Sequence, residues 1–225
     1  CFPLIKNLRG THSYTLEPNQ YVFICDKSKD ELAREGHFKT LGHIRRHEAG
    51  VTESAKSNTP YWYSLPAGKS FHFATMMNPG DRLFFAQAGG DVCFANQRLI
   101  CLRALSDHAD LPLAHALLNS CAGLLMLESS GGPMGDGALD NRKESLASLS
   151  MLDPSLVAPE SRQAILNAFE PLKGRPVKPL REELYEADRE AFDKAVLQAF
   201  GLEDLHDRIR NALSTMVKVR TEELP

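Results

Sequence analysis

Residues 71–103 read FHFATMMNPGDRLFFAQAGGDVCFANQRLICLR and contain a closely spaced series of strand candidates. Four short apolar runs, at residues 71–77, 82–88, 91–95 and 98–103, alternate with turn sequences that contain glycine, proline or asparagine. Apolar runs of this length between turn signals are typical of β-strands. Strands that follow one another so closely favour antiparallel hairpins over β-α-β units. The stretch therefore predicts a mainly antiparallel sheet.

Segments before this stretch extend the predicted sheet. Residues 21–25 form a short apolar run that ends at a turn signal, and the aromatic residues 61–63 are a further strand candidate. In such a strand Trp62 would face opposite its two tyrosine neighbours, because side chains alternate between the faces. A short helix is predicted at residues 30–34, with Asp30 near its N-cap.

Helical patterns dominate the C-terminal half. Residues 113–127 are mostly apolar and predict a core helix, and residues 181–200 predict an amphipathic helix that ends at Gly201. Asp204 is a candidate N-cap for a last helix. We expect an α/β (α+β) fold, in which a twisted, mainly antiparallel sheet with flanking helices is followed by a helical C-terminal part.

Two domains are predicted from these patterns. Residues 1–155 form the mixed domain, and residues 156–225 form a helical C-terminal extension. The proline-rich residues 171–179 are interpreted as a linker between the mixed domain and the helical tail.

Composition is that of an ordinary globular chain of 225 residues, 43% hydrophobic and 24% charged. No apolar run approaches the roughly 18 residues needed to span a bilayer, so we expect a cytoplasmic protein with no membrane partner. The chain starts at Cys1 without an initiator Met, and we expect this position to lie inside a longer protein. Five cysteines without a C-x-x-C pair fit a reduced protein, in which Cys25, Cys93 and Cys101 are expected to be buried. No zinc site is predicted, because the closest helical pair, His43 and His47, has no Cys or carboxylate partner that completes a ligand set.

A series of short motifs between residues 61 and 202 resembles one family of DNA enzymes. The motifs, in order, are the aromatic residues Tyr61-Trp62-Tyr63, the strand end Phe94-Ala95-Asn96-Gln97-Arg98, the helix Leu117-Leu118-Asn119-Ser120, the glycine loop 131–137, a strand at 148–152 before Asp153-Pro154, and a closing helix at 184–202. Their order resembles the C-terminal target-recognition region of bacterial adenine-N6 DNA methyltransferases of restriction-modification type. It is also similar to the recognition domains of type I restriction specificity subunits.

The resemblance implies a sequence-specific DNA recognition module. Its partners would be double-stranded DNA and the catalytic methyltransferase domain of the same protein. The resemblance implies no catalytic residue, no bound cofactor and no metal in this chain, because S-adenosylmethionine is expected in a catalytic domain that this chain lacks.

The motifs of that catalytic domain are missing from this sequence. Such enzymes hold the flipped adenine with an Asn or Asp followed by Pro-Pro and an aromatic residue. The nearest match, Asn78-Pro79-Gly80-Asp81, lacks both the second proline and the aromatic residue, and is interpreted as a turn. The glycine loop 131–137 follows a helix instead of a strand, so it fits no dinucleotide fingerprint. We therefore expect the chain not to bind S-adenosylmethionine and not to be an enzyme on its own.

Charge is unevenly distributed, although the net charge is −3. Residues 1–80 hold ten Lys or Arg against seven Asp or Glu, whereas residues 151–225 hold eleven against fourteen. The densest basic cluster is residues 36–47, where Lys39, His43 and Arg46 would share one face of a helix. Either DNA phosphates or only solvent would meet such a face.

Ten residues are candidates for DNA contact, because cations bind phosphates while planar amide, guanidinium and aromatic groups read or stack on bases. For Trp62 the alternative is core packing, and for the cations it is a solvated helix face or strand end. The candidates are Lys39, His43, Arg45, Arg46, Trp62, Arg82, Asn96, Arg98, Arg142 and Lys143.

Two other functions remain open at this point. A stand-alone hydrolase could use Cys121, or a serine near His115, as its nucleophile, although no G-x-S-x-G motif is present. A protein-interaction or scaffold domain could dock on a partner through the apolar helices at residues 113–127 and 181–200.

Overall fold

The computed structural model describes residues 1–8, 13–18, 20–53, 60–64, 71–89, 94–134 and 137–222. The described helices are α1 (Lys29–Arg34), α2 (Phe38–His47), α3 (Leu111–Asn119), α4 (Cys121–Ser130), α5 (Lys143–Ala147), α6 (Pro159–Lys173), α7 (Leu180–Glu183), α8 (Ala187–Ala199) and α9 (His206–Thr221). The described strands are β1 (Phe2–Ile5), β2 (Thr15–Leu16), β3 (Gln20–Val22), β4 (Phe73–Met76), β5 (Ala86–Ala88), β6 (Phe94–Ala95), β7 (Leu99–Leu102), β8 (Gly132–Pro133) and β9 (Leu139–Asp140). The fold is α+β, as predicted.

The strands form three small sheets within the described ranges, not the single sheet that was predicted. Their strand orders are β3-β1-β6, β2-β5-β4-β7 and β8-β9. In the four-stranded sheet β4 pairs antiparallel with β5 and β7, as the hairpin signals indicated, whereas β2 and β5 are parallel. The prediction of one sheet was wrong because short strands carry no signal for which neighbour they join.

Two predicted strands are turns in the structure. The Ser64 N–H donates to the Tyr61 carbonyl at 2.9 Å, which closes residues 61–64 into a turn. At residues 148–152 the Ser148 N–H still bonds to the Glu144 carbonyl and the Leu149 N–H to the Leu146 carbonyl, so the segment begins as the turn that ends α5, and residues 150–152 form no strand. In both places a local hydrogen bond overrides the apolar pattern.

The chain forms two compact units. The first comprises Cys1–Leu4, Pro18–Ser70 and Asp91–Phe94, and the second comprises Ile5–Glu17, Phe71–Gly90 and Ala95–Pro225. The predicted boundary at residue 155 does not coincide with this division, because the helices on both sides of that residue pack within the second unit.

The first unit is built around α1 and α2. Ser28 starts α1 with a capping box: its hydroxyl accepts from the Glu31 N–H, and the Glu31 carboxylate accepts from the Ser28 N–H. Ser28, not Asp30, is thus the cap. The apolar sides of both helices pack on the aromatic turn in a core of buried and partly buried residues: Leu32, Leu41, Ile44, Tyr63, Phe23, Cys25, Tyr61 and Trp62.

The second unit packs its helices on the four-stranded sheet. The predicted single helix at residues 113–127 is instead two helices, α3 and α4, bent by 66° at Ser120. The extended backbone of Ser120 ends α3, and its hydroxyl accepts from the Gly123 N–H to cap α4. A Cβ at Gly123 would overlap the carbonyl oxygens of Leu117 and Leu118, so glycine is needed at this bend.

The C-terminal helices are part of the same core. Pro171 lies inside α6 and not in a linker, and the predicted helix at residues 181–200 is divided into α7 and α8. Gly201 ends α8 as predicted, with a φ of 65° and a 2.9 Å bond from the Leu202 N–H to the Leu197 carbonyl. Asp204 lies in a 3-10 turn and does not cap α9. The buried residues of this core are Leu83, Phe85, Cys121, Ala122, Leu124, Leu127, Leu180, Leu184, Leu197, Leu213 and Val217.

Two cysteine predictions have different outcomes. Cys101 is exposed, because it lies on the face of the edge strand β7 opposite to the buried Ile100. Cys25 is half-buried in the core of the first unit, and Cys93 lies outside the described residues. Among the described residues no single helix is long and apolar enough to cross a membrane, and the bent pair α3–α4 has the required length and composition only when taken together.

His115 is buried as a neutral imidazole in the second unit. Its Nε2 donates to the Phe85 carbonyl at 2.9 Å, and its ring stacks on Phe73 with centroids 5.3 Å apart. Burial lowers the pKa of His115 from 6.5 to about 4, and the bond to Phe85 only partly opposes this.

Stability should therefore fall when the pH is lowered from about 6.5 to about 4. In this range the unfolded chain protonates His115 and the folded chain does not, so protonation favours unfolding. The shift corresponds to at most about 3 kcal/mol at pH 4. Urea unfolding across this range checks the expectation, with His115→Gln as control. An equally steep pH dependence in that variant would contradict it.

Candidate nucleic-acid interface

Helix α2 begins directly after the glycine turn that ends α1. Gly36 has a φ of 75°, which a side chain would strain, and the His37 N–H reaches back to the Leu32 carbonyl at 2.8 Å. This turn reverses the chain and packs α2 against α1. The basic cluster at residues 36–47 is helical from Phe38 onward, so Lys39, His43 and Arg46 share one face as predicted.

One side of α2 is buried and the opposite side is cationic. Leu41 and Ile44 are 5% and 0% exposed and anchor the helix in the core of the first unit. At 100° per residue, Lys39, His43 and Arg46 point away from them, and all three are exposed. Arg45 is also exposed, on the flank of the helix between Leu41 and Gly42. We call Lys39, Gly42, His43, Arg45 and Arg46 the α2 face.

The carboxylates nearest to α2 are already paired with cations from outside the helix. Lys27 pairs with Glu35, just before α2, and Lys29 pairs with Glu48, just after it. The hydrogen bond from Lys27 lowers the pKa of Glu35, and His37 lies 3.1 Å from the same carboxylate.

The carboxylates on both sides of α2 are therefore not paired with the cations of the α2 face. Across the described ranges, no carboxylate lies within ion-pair distance of Lys39, Arg45 or Arg46. Helix α2 itself contains no acidic residue.

Gly42 lies within the α2 face and faces open space. A Cβ at this position would meet no atom within 4 Å, so neither packing nor backbone conformation requires glycine. Glycine inside a helix costs roughly 0.5–1 kcal/mol relative to alanine. A glycine that the fold does not need, between cationic side chains, lets a partner approach the helix backbone closely.

Two aromatic contacts shape the surroundings of α2. The His43 ring lies 4.8 Å from Phe23 and 4.6 Å from His47, measured between ring centroids. Trp62 does not lie in a strand opposite its neighbours as predicted, because the segment is a turn in which Tyr61 and Tyr63 stack at 5.2 Å. Trp62 is half-buried against the core of the first unit, a placement that favours the packing alternative for this residue.

The remaining candidates lie in the second unit. Asn96 and Arg98 line one pocket, described below. Arg142 pairs with Asp140 at 3.1 Å, and Lys143 is the exposed first residue of α5. Arg82 is half-buried at the segment that leads to β5.

Two segments come closest in sequence to the motifs of a methyltransferase catalytic domain: residues 78–81 and the glycine loop 131–137. Both have structural roles. The Asn78 amide donates to the Leu139 carbonyl at 3.3 Å, and Arg220 binds the Gly80 carbonyl at 3.1 Å, which fixes this turn. A Cβ at Gly131 would overlap the Leu139 side chain, so the glycine loop packs against β9. The turn at residues 78–81 and the loop around Gly131 are thus held by hydrogen bonds and packing within the second unit.

The candidate hydrolase residues are occupied by structural bonds as well. Burial raises the pKa of the Cys121 thiol far above its ordinary value. The Ser120 hydroxyl donates to the Leu117 carbonyl and accepts from the Gly123 N–H. His115 is bonded to Phe85. This arrangement supplies neither an activated nucleophile nor a base beside it. Among the described residues no group of three or more His, Cys, Asp or Glu side chains could hold a metal ion.

The sequence missed two features of the interface. Pairing of Lys27 with Glu35 and of Lys29 with Glu48 frees the α2 face, but only the folded backbone brings these residues together. Gly42 could have been noticed, because a glycine in the middle of a basic helix is unfavourable without a reason. Comparison with known proteins gave no match to a family model, a curated protein or a solved structure.

Proposed function

We propose that this chain binds duplex DNA through the α2 face. One observation carries the proposal: Lys39, Arg45 and Arg46 are exposed, while the acids that flank α2 are paired with Lys27 and Lys29. Cations without an internal partner gain most from binding phosphates, because they release the counterions condensed on DNA.

The size of α2 supports duplex DNA as the partner. Ten residues at 1.5 Å each give a helix about 15 Å long, and the major groove of B-DNA, about 12 Å wide, admits an α-helix. Gly42 allows close approach, while Lys39 and Arg46 lie one turn away from it on either side. In this arrangement the cations contact phosphates, and Arg45 or Arg46 is the side chain suited to a guanine edge.

We further propose that the chain is the recognition module of an adenine-N6 DNA methyltransferase, with the catalytic methyltransferase domain as its second partner. The order of the Asn96 segment, the Leu117-Leu118-Asn119-Ser120 helix, the glycine loop and the closing helix supports this assignment. Methyl transfer and S-adenosylmethionine binding then belong to that catalytic domain. The scaffold alternative is less favoured, because most of α3, α4 and α8 lies in the core of the second unit.

Replacing Gly42 with glutamate should weaken DNA binding without harming the fold. The site is open, and glutamate favours a helix more than glycine does. The added carboxylate should cancel about one phosphate contact, which is roughly tenfold in affinity at about 0.1 M salt. Fluorescence anisotropy with a labelled duplex, together with urea unfolding, measures both effects.

Gly174→Glu is the matched control for this test. It makes the same change of charge at an exposed glycine of the second unit, whose φ of −79° any residue adopts. We expect this variant to keep wild-type affinity. If Gly42→Glu binds as tightly as the control, the α2 face does not contact DNA.

A further inference from the structure

A polar pocket of 420 Å³ lies in the second unit, where three segments end together. The Asn96 N–H donates to the Ile5 carbonyl and the Met77 N–H to the Arg98 carbonyl, each at 2.9 Å, and Met76 is opposite Leu99 in the sheet. These backbone bonds fix the pocket walls. The wall residues with polar side chains are Lys6, Asn7, Asn78, Asn96 and Arg98.

Two side-chain amides of this pocket are oriented by hydrogen bonds to the backbone. Asn96 Oδ1 accepts from the Arg98 N–H at 2.9 Å, so its Nδ2 remains as a donor. Asn78 Nδ2 donates to the Leu139 carbonyl at 3.3 Å, so its Oδ1 remains as an acceptor. The pocket thus offers one oriented donor and one oriented acceptor from two rigid turns.

An exposed cation, Arg98, lies in the wall of this pocket, and no carboxylate is among the described lining residues. The larger 760 Å³ pocket of the second unit differs, since it contains Asp81 and Glu182 beside Arg181. An anionic ligand with hydrogen-bonding groups therefore suits the smaller pocket.

We propose that this pocket binds one nucleotide. Arg98 holds the phosphate, while Asn78 Oδ1 and Asn96 Nδ2 pair with a base that presents an amine beside a ring nitrogen, as adenine does. A volume of 420 Å³ lies within the range of small-molecule pockets. This inference rests on the proposed function in that nucleic acid is the partner, and it adds a site outside the α2 face. A free nucleotide and a nucleotide within DNA both present this chemistry.

Titration of the ¹⁵N-labelled chain with deoxyadenosine monophosphate tests the site. We expect saturable shifts at the amides of Asn7, Asn78 and Arg98, and weaker binding of inorganic phosphate. Asn96→Asp keeps the oxygen that accepts from Arg98 but replaces the donor, and should lower affinity for the mononucleotide at least about tenfold. Asn167→Asp, at an exposed position of α6, is the control of equal charge.

A second titration, with a single-stranded oligonucleotide, distinguishes a free nucleotide from DNA as the ligand. A single-stranded oligonucleotide that shifts the same amides at lower concentration than the mononucleotide identifies DNA as the source, and the reverse order identifies the free nucleotide. Absence of saturable shifts, or equal affinity in Asn96→Asp and wild type, overturns the inference. That failure is distinct from failure of the α2 proposal, because Gly42→Glu tests the α2 face without the mononucleotide.

Discussion

Replacing Arg220 with alanine should lower the free energy of unfolding by about 3–5 kcal/mol, because it leaves a buried charge unpaired. Arg220 and Glu128 side chains are only 4% and 2% exposed. The guanidinium donates to both Glu128 oxygens, at 2.7 and 3.1 Å, and also to the carbonyls of Gly80 and Gly137. It therefore joins α4, α9, the turn after Asn78 and the glycine loop.

Two further variants separate charge from geometry. Arg220→Lys keeps the charge but not the planar fork, so we expect an intermediate loss. Arg220→Met combined with Glu128→Leu removes both charges and should be less destabilising than Arg220→Ala alone. Urea midpoints with unchanged m-values provide the comparison. An Arg220→Ala variant within about 1 kcal/mol of wild type would show that the pair does not hold these segments together.

Local patterns predicted the elements that depend on local physics. The basic cluster is a helix because Leu41 and Ile44 have helical spacing, and α8 ends at Gly201 because only glycine readily takes that conformation. Strands β4, β5 and β7 lie inside predicted apolar runs. Such features need no knowledge of distant residues.

Predictions failed where a single hydrogen bond overrides a pattern. Ser120 interrupts the apolar run 113–127 because its hydroxyl caps α4, and the bond between Ser64 and Tyr61 turns the aromatic segment. The aromatic strand at 61–63 and the strand at 148–152 were two pieces of the family resemblance, and neither is a strand. The proposal of a methyltransferase recognition module therefore depends on the remaining motifs and on DNA binding itself.

Candidate site residues were predicted by type but not by grouping. Asn96 and Arg98 were chosen as an amide and a cation, while their pocket partners Lys6 and Asn78 are far away in the chain. Sheet pairing brings these residues together, and short strands do not encode their pairing. The ion pairs beside the α2 face, Lys27 with Glu35 and Lys29 with Glu48, could not be predicted either, because only the folded backbone brings their partners together.

Replacing Lys39, Arg45 and Arg46 together with alanine should reduce affinity for duplex DNA by up to about 500-fold at 0.1 M salt. Each lost phosphate contact removes about 0.9 from the slope of log affinity against log salt, so three contacts remove two to three. Alanine is the best helix former, and Leu41 and Ile44 are untouched, so the fold should be retained. Circular dichroism and urea unfolding check that it is.

The salt dependence of duplex binding, measured for the wild type, this triple variant and a charge-matched control, shows whether the α2 face contacts DNA phosphates. The control replaces three exposed cations of α8 and α9 with alanine: Lys194, Arg208 and Lys218. We predict that the triple variant of the α2 face has a slope shallower than wild type by about two to three, while the control differs by less than about one. Equal slopes in the triple variant and the wild type would show that the α2 face contacts only solvent and not DNA.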